Sequence, residues 1–143
     1  MADDLHALIR VRKHTVEQKQ KLVSDLYRKA EELKAERETI LGQLEEERAK
    51  AHEMGVEMLS YLGPYTEAVQ DRVEEIEKQE RTLEARIQIA QEDMRAAFAE
   101  LKKIEITQRN REDAEKKEFD KKEGDELDAI AIEAYCRKLA EED

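Results

Sequence analysis

The sequence lacks most of what a compact globular enzyme is built from. It has no tryptophan, only 4% aromatic residues, one proline and four glycines in 143 residues. So few large apolar groups leave little to fill a broad core. The single cysteine, Cys136, has no partner for an internal disulfide or a cysteine metal site, which fits a reducing compartment. No apolar run approaches the roughly 20 residues that span a bilayer, and the start, Met1-Ala2-Asp3-Asp4, is acidic where an export signal would be basic and then apolar. These absences predict a soluble, cytoplasmic chain. There is no phosphate-binding glycine loop and no Gly-x-Ser-x-Gly elbow. The three histidines, His6, His14 and His52, lack the second ligand of a helical metal motif and are expected to face solvent. No catalytic residue, metal or cofactor is expected, and paired acids such as Glu74-Glu75 are taken as solvated faces.

What the chain does have is charge, at 44% Asp, Glu, Lys and Arg, set in a strict apolar rhythm. Steps of four and three residues from Leu5 pass through Ile9, Val16, Val23, Leu26, Ala30, Leu33, Ile40, Leu44, Ala51, Met54 and Met58, with polar interruptions at Arg12, Lys19, Arg37 and Glu47. A second series runs through Val69, Val73, Ile76, Leu83, Ile87, Ala90, Met94, Ala97, Leu101, Ile104 and Gln108, interrupted at Glu80. Such narrow seams suit one partner helix each. Disordered chains of similar charge do not keep this register. Between the seams stands Ser60-Tyr61-Leu62-Gly63-Pro64-Tyr65, which holds the only proline. Glycine ends a helix readily and proline opens one, so this stretch is expected to be the turn. The predicted fold class is all-α, a long two-helix antiparallel coiled coil: helix 1 over about 4–61, a turn at 62–65, helix 2 over about 66–122, and a C-terminal overhang at 123–143. Folding at 63–64 sets Leu5 beside approximately Lys122.

Net charge is −11, which argues against general nucleic-acid binding. Its distribution is uneven: residues 63–143 carry 15 bases against 24 acids, whereas Leu5–Lys21 has five bases and one acid. The cluster Arg10-Val11-Arg12-Lys13 has two readings, neutralising the acidic helix alongside it or steering an acidic protein surface onto that end. The overhang gathers Leu127, Ile130, Ala131, Ala134 and Tyr135 on one helical face that nothing else in the chain covers, a pattern that docks into a partner's groove.

The run Tyr65…Val69…Ile76…Gln79, then Leu101-Lys102-Lys103-Ile104-Glu105…Gln108-Arg109 and Lys122-Glu123-Gly124-Asp125-Glu126-Leu127-Asp128, resembles the flagellar export protein FliJ family. The opening Leu8-Ile9-Arg10-Val11-Arg12-Lys13, with Glu17, is similar to its more divergent members. The resemblance implies a cytoplasmic part of the flagellar type III export apparatus, peripheral at the inner-membrane export gate. Its members act as a stalk-like coupling factor for the hexameric export ATPase and as escorts for export chaperones. Carried over, the ring-facing positions are Arg10, Arg12, Lys13, Asp125 and Glu126. An export-gate face would hold Ala68, Arg72, Glu75 and Gln79, which is polar for a docking stripe. A chain of this kind is expected to be monomeric alone. The competing expectation is a structural coiled-coil adaptor, self-associating and without an ATPase partner.

Overall fold

A computed structural model describes residues 5–142, and these are helical almost throughout. Helix α1 spans His6–Met54 and helix α2 spans Val56–Glu142, with no strand among the described residues. The two helices pack against each other as an all-α hairpin, as the paired seams require. The expected start of helix 1 at residue 4 lies outside the described residues.

The turn is not where the proline stands. Its expected place at 62–65 is helical, with Pro64 inside α2, and among the described residues the only break between helices is Gly55, whose φ of 98° lies in the left-handed region. Glycine enters that region without the clash a Cβ would bring, so one residue suffices to end α1. Pro64 removes one backbone donor, leaving the Ser60 carbonyl without its usual partner four residues on. Residues 52–61 are all exposed, so water reaches this carbonyl, and the Ser60 hydroxyl donates to the Glu57 carbonyl at 2.8 Å one turn back. A proline whose orphaned carbonyl is hydrated can remain within a helix. The proline rule thus gives way to the glycine nine residues earlier.

Packing divides the chain into two units, His14–Phe98 and a second that joins the residues up to Lys13 with those from Ala99 onward. In the first unit Val23, Leu26, Leu83, Ile87 and Ala90 form a buried cluster, with Ala30, Leu33 and Met94 packed against it. Ile76 is fully enclosed, at 0% exposure. Across this seam Arg37 Nε lies 3.0 Å from Glu80 Oε1, and Arg37 Nη2 donates to Glu80 Oε2 at 3.5 Å. The closer contact is an ion pair off the hydrogen-bonding line, since neither of its two buried atoms completes a hydrogen bond. On the outside, the Gln91 amide donates to the Tyr27 hydroxyl. These two pairings are centred near Met58–Leu59, not on Gly63–Pro64.

In the second unit Ile9, Leu101 and Gln108 are buried. The Leu5 N–H donates to Gln108 Oε1 at 3.1 Å, so Leu5 sits beside Gln108 and not Lys122. Moving the turn toward the N-terminus shortens the paired part of α2 by the same logic. The overhang therefore begins well before residue 123: from Asp113 to Glu142 every residue is exposed except Gly124, which is half-buried. The stretch Leu5–Lys21 accordingly begins beside Gln108 instead of beside Lys122.

Candidate partner-binding surfaces

Three surfaces carry exposed polar or apolar groups, the first of them at the start of α1. Its first turn carries no acidic side chain to meet the unpaired N–H groups there. The cap comes from α2 instead. Gln108, buried in the seam, accepts from Leu5 N–H through Oε1 and donates through Nε2 to Glu112 Oε1 at 3.0 Å. The same Glu112 oxygen lies 3.3 Å from His6 Nε2. Gln108 is visible in the sequence only as a polar residue at a seam position, and its capping role depends on which α1 residue it meets. His6, expected to face solvent unaided, is 61% exposed and still has this cross-helix partner.

Arg10, Arg12 and Lys13 lie on the exposed part of α1 just after this cap. Asp125 and Glu126 are exposed on the unpartnered part of α2, in the same packing unit. The structure does not bring the two groups together: from Gln108, which faces Leu5, to Asp125 is roughly 25 Å of helix. They form a basic surface on paired helices and an acidic one on a single helix. Beyond Glu126 the side chains of Leu127, Ile130, Ile132, Tyr135 and Leu139 are all exposed, and Cys136 is exposed among them.

The second surface is the early part of α2. Ala68, Arg72, Glu75 and Gln79 are exposed, as their outward positions require. Arg72 is already engaged: its Nη2 donates to Glu36 Oε1 at 2.5 Å and its Nη1 lies 3.6 Å from Glu75 Oε2. The bond to Glu36 raises the guanidinium pKa further, so this side chain keeps its charge at any ordinary pH. Glu75 and Gln79 also line an open groove of about 540 Å³, with Lys29, Glu36 and Arg86 on its walls. Bases and acids are mixed along its walls, with no cluster of one sign.

The third surface is the turn, where Met54, Val56, Leu59 and Tyr61 stand exposed beside Gly55. Among the described residues no group of three His, Cys, Asp or Glu side chains is placed to hold a metal ion. None of the described helices is long and apolar enough to cross a membrane. Comparison with family models, with curated proteins and with solved structures finds no match to this chain.

Proposed function

We propose that this chain is a non-catalytic coupling factor of the flagellar type III export apparatus, a stalk-like partner of the hexameric export ATPase and an escort for export chaperones. The observation that most supports this reading is the single-helix stretch from Asp113 to Glu142. It is exposed along its length and displays Phe119, Leu127, Ile130 and Tyr135. A charged helix with exposed apolar side chains and no partner helix among the described residues is suited to insertion into an opening in another protein. The basic side chains Arg10, Arg12 and Lys13, in the same packing unit, add a second contact of opposite charge to Asp125 and Glu126. The FliJ-like motifs in α2 point the same way.

On this reading the protein works in the cytoplasm at the export gate, and Ala68, Arg72, Glu75 and Gln79 are its gate-facing side chains. The test uses the purified cognate export ATPase. The full chain is expected to co-purify with it and raise its hydrolysis rate, and removal of residues 1–13 or 123–143 to reduce that activation. No binding, together with activation unchanged by either truncation, would sink the proposal.

The same uncovered side chains favour one other reading, a self-associating scaffold. A dimer in sedimentation equilibrium at micromolar concentration, lost on removal of 123–143, would favour it. A monomer would favour the coupling factor.

A further inference from the structure

The first two turns of α2 are unusual for a helix in water. At 3.6 residues per turn, Val56, Met58, Leu59 and Tyr61 point to all sides of the helix, and their exposures are 82%, 38%, 43% and 70%. Met54, at the end of α1, adds another exposed apolar side chain at 67%. A helix that is apolar around its circumference is ordinarily buried. Here the partner seam has already ended, because Ala51 is the last buried residue of α1 and Val69 the first of α2. Contiguous exposed apolar side chains of this kind mark a contact surface.

The charge around this cluster indicates what covers it. From Ala51 to Asp71 the chain has no lysine or arginine, the longest such run in the sequence, while it has Glu53, Glu57, Glu67 and Asp71. Pro64 adds to the same bias, since it leaves the Ser60 carbonyl as an acceptor without its helical donor, and the Ser60 hydroxyl is turned to the Glu57 carbonyl. The surface thus offers apolar contact, carboxylates and a carbonyl acceptor, with no lysine or arginine and His52 as its one basic side chain. A second copy would bring like charges together. An anionic membrane would be repelled, because interfacial helices hold to such surfaces through lysine and arginine. We propose that the apolar turn of residues 54–61 is a docking site for a protein partner whose apolar groove is rimmed by arginine or lysine. Methionines at such a surface adapt to the shape they meet. This inference does not rest on the export reading above.

The probe is a synthetic helical peptide of leucine and lysine with one apolar stripe, titrated into the isotope-labelled full chain and followed by amide NMR. Shift changes centred on residues 52–65 are expected, and binding should weaken as salt is raised. Val56→Ser with Tyr61→Ser should weaken binding about tenfold, because both side chains lose apolar contact. Glu53→Gln with Glu57→Gln should weaken it and flatten its salt dependence, while circular dichroism shows the helices intact for all variants. The stretch 123–136 also lacks bases, so it serves as an internal competitor. Peptide shifts confined to 123–142 would overturn the proposal. So would self-association abolished by the Ser variants, or partition onto phosphatidylcholine–phosphatidylglycerol vesicles that those variants remove.

Discussion

The placement of the turn at Gly55 makes opposite predictions at two neighbouring glycines, and their signs can be measured. At Gly55 φ is 98° and an added Cβ would meet nothing within 4 Å, so the cost of Gly55→Ala is purely that of the left-handed backbone. That cost is about 1–2 kcal/mol for an L-residue. Gly63 lies within α2, and a Cβ there also meets nothing within 4 Å. In a regular helix alanine exceeds glycine by about 0.5–1 kcal/mol, so Gly63→Ala should stabilise by that amount. Pro64→Ala restores a donor to the Ser60 carbonyl. A proline inside a helix costs about 3 kcal/mol, from which the looser unfolded chain of the variant removes about 0.4–1 kcal/mol. Hydration of the exposed carbonyl lowers the gain further, so a net stabilisation of about 1–2 kcal/mol is expected. Urea unfolding followed at 222 nm reads all three as shifts of the midpoint with unchanged slope. If the turn instead lay at 62–65, Gly63→Ala would destabilise and Gly55→Ala would be neutral or stabilising, and that pattern would refute the assignment.

Ile76→Ala should cost about 2–4 kcal/mol, because this side chain is completely enclosed, whereas Val56→Ala, at 82% exposure, should change stability by less than about 0.5 kcal/mol. The pair Arg37–Glu80 is open to a double-mutant cycle: either single change to leucine strands a charge in the seam, and the coupling should be about 1–3 kcal/mol. The double leucine variant should be at least as stable as the parent but less selective in its pairing, which sedimentation equilibrium would reveal as added oligomers. Gln108→Ala removes the cap from Leu5 N–H and should loosen the start of α1 by about 1 kcal/mol, seen as faster amide exchange over residues 5–8 with exchange near Leu83 unchanged.

The apolar rhythm was legible in the sequence except near the two ends of the first seam, where Arg12, Met54 and Met58 stand in register and are exposed, the two methionines because the pairing does not reach them. Every seam position expected from Val16 to Ala51 is buried or half-buried, and so is every one from Val69 to Gln108. That follows from geometry, because a narrow seam must recur every three and four residues if it is to stay against one partner. The register between the seams was not legible, since rhythm is blind to where the chain turns back. Pro64 was the stronger local signal and Gly55 the decisive one, and they differ because an exposed stretch of helix tolerates a missing donor. The shift of the turn moved Leu5 from Lys122 to Gln108 and lengthened the unpartnered part of α2. Among the candidate site residues, exposure was readable from helical position except at Arg12, a seam position that the structure leaves exposed. The engagement of Arg72 by Glu36 was not, because it depends on that same register.

A turn of one residue also constrains how such a sequence changes length over time. No loop at Gly55 can absorb an insertion, and in the unit His14–Phe98 the pairings Tyr27–Gln91 and Arg37–Glu80 tie the two helices at matched positions. Losing seven residues between Tyr27 and Arg37 alone would leave Arg37 opposite Glu80 but bring a different heptad of α1 opposite Gln91, keeping the apolar faces aligned but breaking the Tyr27–Gln91 hydrogen bond. Losing a number that is not a multiple of the repeat would rotate the seam away from its partner. Viable length variants are therefore expected to come as paired seven-residue steps, one on each helix at equal distance from the turn. The freely variable part of the chain is the stretch after Glu112, where no opposing helix keeps count.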